Sequence, residues 1–101
     1  MKPVRFHPEA EAEMIDAAAW YQTQQRDLGG RLLAAVADAI QRIALNPDLY
    51  PRLEGDVRRC LTRTFPFGVL FRNRPEIIEV IAVMHLHREP GYWARRRNDA
   101  R

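Results

Sequence analysis

One cysteine, Cys60, is the whole thiol content of this 101-residue chain. A single thiol forms no intrachain disulfide and anchors no cysteine-rich zinc site. Long apolar runs are missing too. No stretch reaches the length a membrane span needs, and the opening residues, with Lys2, Pro3, Arg5 and His7 close together, lack the apolar core of a signal peptide. These absences point to a cytoplasmic protein with no membrane partner. There are no internal repeats or low-complexity tracts, and the length suits one domain, residues 1–101, built on one modest core.

Lysine is absent from the second half. Residues 51–101 carry eleven arginines against six acids, whereas residues 1–50 carry five basic residues against seven acids. The net charge of +3 is therefore unevenly spread. A planar guanidinium fork suits carboxylates and phosphates, so nucleic acid and an acidic protein segment are both reasonable partners, and a solvated basic surface is the bland alternative.

Periodicity orders the chain. Pro3 to Phe6 is a short extended run bracketed by Pro3 and Pro8, which suits a brief edge strand. Pro8 opens a helix expected to reach Gln25, with Glu9, Glu11 and Glu13 near its positive end and Ala10, Met14, Ala17, Ala18 and Tyr21 on its apolar face. Those acids, with Asp16, read as a solvated face. Gly29-Gly30 marks a turn or a loosened start to a second helix, Leu28 to Leu45. Its stripe is Leu32, Leu33, Val36, Ile40, Ile43 and Ala44, and Asn46-Pro47 ends it. The two helices should form an antiparallel hairpin.

Asp48 to Asp56 reads as a loop. Three strand-like runs follow: Val57 to Phe65, Phe67 to Arg72 with Phe67, Val69 and Phe71 inward, and Ile77 to His85. In the last, seven of the eight residues from Ile77 to Met84 are apolar, the pattern of a strand buried on both faces. Asn73-Arg74-Pro75 supplies a tight turn. The order is β-α-α-β-β-β, an α+β domain with an N-terminal helical hairpin on an antiparallel sheet and a short basic and aromatic C-terminal segment.

The order and spacing of several short pieces resemble the RelE/ParE superfamily of type II toxins, the growth-inhibiting halves of bacterial toxin-antitoxin modules. The pieces are FHPEAEAEM from Phe6 to Met14 with Trp20-Tyr21, NPDLYP from Asn46 to Pro51, RRCL from Arg58 to Leu61, FPFGVLFR from Phe65 to Arg72 and HLHREPGYW from His85 to Trp93. They cover nearly the whole chain, and the pattern is closer to the ParE-like branch, the plasmid stabilisation type, than to RelE. The resemblance implies a cognate antitoxin, growth inhibition and no cofactor. RelE-like members cut messenger RNA on the ribosome; characterised ParE-like members poison DNA gyrase without being nucleases. A gyrase-like protein target is therefore the first expectation and ribosome-dependent endoribonuclease action the second. A non-toxic antitoxin binder is the third. Whether the chain is an enzyme turns on that choice, because fold alone does not decide function.

For a metal-free ribonuclease the candidates are His85 and His87 as base or acid, Arg59 and Arg63 as cations on one strand face, and Tyr92 as acid or stacking surface. His85 also suits a strand cap, and Trp93 suits a return onto the core. For antitoxin or target contact the candidates are Arg58, Arg72, Arg74, Arg88, Arg95 and Arg96. Arg58, Arg59 and Arg63 on one strand with Arg72 and Arg74 on the next would make a basic stripe for an acidic antitoxin segment or a phosphate backbone. Two histidines without nearby cysteines or acids make no convincing metal site.

Overall fold

The computed structural model describes residues 1–98. Strand β1 (Val4–Phe6) leads into helix α1 (Pro8–Gln24), which turns into α2 (Leu28–Leu45); a short 3-10 turn, Pro47–Leu49, then precedes β2 (Arg52–Glu54), β3 (Val57–Leu61), β4 (Phe67–Asn73) and β5 (Ile78–His85), and a second 3-10 turn spans Ala94–Asn98. The fold is α+β, with the helical hairpin on one face of a five-stranded sheet ordered β1-β5-β4-β3-β2.

His7 starts α1. Its Nδ1 accepts from Glu9 N at 3.1 Å, and Pro8 supplies a helical φ where an amide N–H would go unused. The α1–α2 junction is closed by side chain and glycine together. Gln22 Oε1 accepts from Gly29 N at 3.0 Å, and a Cβ on Gly29 would lie 2.5 Å from the Ala18 carbonyl oxygen. Gly29 is thus the point where the helices touch backbone to backbone, which sharpens the expectation of a loosened helix start. Ala10, Leu32, Val36, Ala39 and Ile43 then pack on Val69, Phe71 and Val80 of the sheet. Leu33, expected in the stripe, is exposed, and Ala39 takes the buried position.

Three sheet expectations need correction. The sheet is mixed: β1 runs parallel to β5, pairing Val4 with Ile78 and Phe6 with Val80, while the other pairs are antiparallel. Part of the expected loop is the edge strand β2, whose Arg52, Leu53 and Glu54 are all exposed and so carry no alternation to read. Finally, β3 stops at Leu61 rather than Phe65. Thr62 Oγ1 donates to Phe65 O at 2.8 Å, and Thr64 adopts φ 76°, so residues 62–66 form a turn.

The β4–β5 ladder contains a bulge. Leu70 pairs with Ala82 and Phe71 with Val80, leaving Ile81 as the extra residue. Ile78 and Val80 before the bulge and Val83 after it belong to the core under the helices. Ile81, Ala82 and Met84 join Val57 and Leu70 in a second core on the opposite face, capped by Trp93, which is 3% exposed. The doubly buried strand read from Ile77 to Met84 is therefore β5, its second face covered by the returning C-terminal segment.

The two glycines at the start of α2 separate packing from propensity. Gly29→Ala should destabilise the fold by about 2 kcal/mol through overpacking, whereas Gly30→Ala, with no atom within 4 Å of its Cβ, should stabilise by about 0.5 kcal/mol. Urea denaturation of both variants checks this; equal effects would contradict the helix contact.

Candidate functional site

Beyond Val80 no β1 residue pairs with β5, and α1 takes over that edge. Glu13 of α1 fills the gap. Its Oε1 accepts from Val83 N at 3.1 Å and from Arg96 Nη1 at 2.9 Å; its Oε2 accepts from the Tyr92 hydroxyl at 2.5 Å and from Arg96 Nη2 at 3.2 Å. Arg96 Nη1 also donates to Ile81 O at 3.0 Å. One carboxylate and one guanidinium thus satisfy two backbone groups of the strand while fastening the C-terminal segment across it. Glu13, expected on a solvated face, is mostly buried. The sequence signal was present in its spacing: Glu9 and Glu13 lie one helical turn apart, matching the successive Arg95 and Arg96.

The triple arginine repeats this fastening. Arg95 makes a bidentate pair with Glu9, at 2.9 and 2.6 Å, which holds the Glu9 carboxyl below its ordinary pKa. Arg97 reaches Glu54 of β2 at 3.4 Å, and its carbonyl accepts from Arg72 Nη2 at 3.2 Å. Arg72 in turn pairs with its cross-strand partner Glu79 at 2.8 Å, both side chains buried. Glu79, the lone acid in the apolar run, is the second site residue that the sequence reading passed over.

The expected basic stripe does not form. Arg58 turns toward the chain after α2, donating to Tyr50 O at 2.7 Å and lying 3.7 Å from Asp48. Arg72 and Arg96 are buried in their ion pairs. Arg63 sits in the turn after β3, 3.6 Å from Asp38 of α2. Arg74 and Arg88 remain exposed, within 3.8 Å of Glu79 and 3.9 Å of Glu13 respectively. Arg59 faces the side of the sheet carrying Trp93 and lines a cavity there.

The nuclease candidates are brought together only in part, the two histidines lying side by side and Arg59 and Arg63 apart from them. His85 closes β5 by accepting from His87 N at its Nδ1, 3.1 Å away, with its ring against Phe67; the His87 ring lies edge-on to it, the centroids 5.1 Å apart. The strand-cap geometry of His85 follows the residue reading, and His87 is exposed. His85 lines a cavity of about 340 Å³ with Trp20, Tyr21 and Phe67 beside α1, on the helix side of the sheet. Tyr92 does not line that cavity: its hydroxyl is on Glu13 and its ring under Arg88 at 3.9 Å, and Glu13 and Arg88 line a neighbouring cavity with His85. Burial first, and then the hydrogen bond to Glu13, push the Tyr92 phenol well above its ordinary value of 10.0. A phenol that keeps its proton so firmly is a poor general acid at neutral pH. Among the described residues no group of three or more His, Cys, Asp or Glu side chains is placed to hold a metal ion, and no helix is long and apolar enough to cross a membrane.

Comparison with known proteins adds three findings. Residues 4–90 match the family model described as ParE toxin of type II toxin-antitoxin system, parDE. Toxin ParE2 of Mycobacterium tuberculosis, in strains CDC 1551 / Oshkosh and H37Rv, is 28% identical over 89 residues, spanning 87% of this chain and 85% of that protein. A chain of the solved chromosomal ParDE TA system from P. aeruginosa superposes with a TM-score of 0.65 at 17% identity, covering 86% of this chain and 98% of that one, which shows a shared fold.

The Tyr92–Glu13 bond has a pH signature. Because the folded pKa lies above the unfolded one, its contribution is complete below about pH 10 and is lost as pH rises through the folded value. Tyr92→Phe should cost about 1.5 kcal/mol at neutral pH and show a shallower loss of stability above about pH 10 than the parent chain. Urea denaturation across that range measures it; parallel profiles would contradict the assignment.

Proposed function

The chain belongs to the ParE toxin family of type II toxin-antitoxin systems, and from that premise we propose that it is neutralised in the cytoplasm by a cognate antitoxin and acts on a protein target such as DNA gyrase. The observation supporting a protein target over RNA is the separation of Arg59 and Arg63 from the His85–His87 pair, together with the engagement of the Tyr92 hydroxyl by Glu13. His85 lies beside α1, Arg59 on the opposite face of the sheet and Arg63 against Asp38, while the Tyr92 hydroxyl is engaged by Glu13. In-line cleavage of a phosphodiester needs base, acid and cation around one phosphorus. These four side chains do not surround one point.

The antitoxin reading is supported by the family description, which names parDE, and by the solved neighbour, which comes from a ParDE TA system. Arg74, Arg88 and Arg95, exposed and each sharing its acid with another arginine or with solvent, are the arginines proposed for antitoxin or target contact. Such rim charges govern association rate and salt dependence more than final affinity.

Expression without antitoxin should stop bacterial growth, and the purified chain should inhibit gyrase supercoiling or trap cleaved DNA while leaving messenger RNA intact in a translation reaction. Discrete transcript cuts lost in His85→Ala would replace this reading with the nuclease one. Normal growth at confirmed expression would indicate an antitoxin binder without toxicity.

A further inference from the structure

The face of the sheet away from the helices is covered only in part by the C-terminal segment. Beside Trp93 a cavity of about 290 Å³ opens between β2 and the turn after β5, walled by Leu53, Met84, Leu86 and Pro90, with Arg59 projecting from β3. Its size is at the lower end of ligand-pocket volumes, and its walls are mainly apolar.

Arg59 is distinguished by charge. From Arg58 to Asn98 every other arginine lies within 3.9 Å of a carboxylate. Arg59, although partly buried, has no ion pair and no side-chain hydrogen bond among the described residues. The acid in the cavity wall, Glu54, is engaged by Arg97 at 3.4 Å, and Arg88 is engaged by the Tyr92 ring and Glu13. The room for Arg59 is also built in. A Cβ on Gly68, the diagonal neighbour of Arg59 on β4, would lie 3.1 Å from Arg59 Cγ and 3.0 Å from Cδ, so the arginine stem lies over a residue that has no side chain.

A guanidinium half withdrawn from water beside leucine, methionine and tryptophan is a strong seat for one carboxylate, because the pair forms in a site already partly desolvated. The Glu54 carboxylate at the rim opposes a polyanion such as a nucleic-acid backbone. We infer that the Arg59 cavity receives a single acidic side chain flanked by bulky apolar residues, in a peptide segment of the partner antitoxin. This rests on the antitoxin reading above for the identity of the partner, while the seat itself rests on the cavity and the unpaired guanidinium.

The probe is the capped tripeptide Ac-Leu-Glu-Leu-NH2, titrated into the isotope-labelled chain and followed by NMR at the Trp93 indole N–H and the Met84 methyl. Saturable shifts at both are expected. Ac-Leu-Gln-Leu-NH2 should bind about tenfold or more weakly, as should the Glu peptide to Arg59→Met, since each loses a charge-assisted pair. Absence of saturable shifts, equal binding of the Gln peptide, undiminished binding to a folded Arg59→Met chain, or tighter binding of inorganic phosphate would each overturn the seat. Gly68→Ala, which displaces the arginine stem without removing its charge, should weaken the Glu peptide as well; unchanged binding contradicts the geometry. Copurification with the antitoxin tests the preceding reading separately. A complex formed equally tightly by wild type and Arg59→Glu overturns this inference alone.

Discussion

A single carboxylate on the first helix, Glu13, closes the edge of β5 where β1 stops and holds the turn at Ala94–Asn98 in place. It receives a backbone N–H, a phenol and a guanidinium at once. Removing one partner of so buried a set leaves the other charge uncompensated, which is far more costly than the modest net value of an exposed pair. The position of Glu13 depends in turn on how α1 lies on the sheet, and that is set by the close contact of α1 with α2 at Gly29 and by the His7 cap. Once the segment is fastened, Trp93 seals a second core, and β4 and β5 become buried on both faces.

This fastening changes the meaning of the arginine-rich half. The triple arginine, Arg95 to Arg97, meets Glu9, Glu13 and Glu54 on two different elements, and Arg72 meets Glu79. Much of what reads as a basic surface is internal cross-linking between a tail and the elements it crosses. The charge available to a partner is correspondingly sparse, with Arg59, among the described residues, the one partly buried cation in that half that is not already answered by an acid. In this ParE toxin most arginines of the second half therefore serve to hold the tail and the loops on the sheet.

The helices, the β4–β5 hairpin and the return of Trp93 were legible because each writes a local pattern: a 3.6-residue stripe, Asn73-Arg74-Pro75 at a turn, an apolar run too long for one buried face. The parallel pairing of β1 was not, since Val4 to Phe6 looks the same beside either direction of β5. The bulge at Ile81 is invisible in a run where every neighbour is apolar. β2 has only exposed residues and no alternation. At the site, periodicity placed Glu13 on the outside of α1 because the tail that buries it comes from more than eighty residues later, and no local rule carries that distance. The same blindness grouped Arg58, Arg59 and Arg63 on one stripe, although alternation at β3 and the turn at Thr62 send them to three different surroundings.

The dependence of the tail on the Glu13–Arg96 pair is tested most directly by a double-mutant cycle, with Glu13→Gln, Arg96→Met and the double variant compared by urea denaturation. The account predicts a coupling of about 2 kcal/mol, the double variant losing much less than the sum of the single losses. Additivity to within about 0.5 kcal/mol would show that the two side chains act independently and that the C-terminal segment is held by something other than this pair.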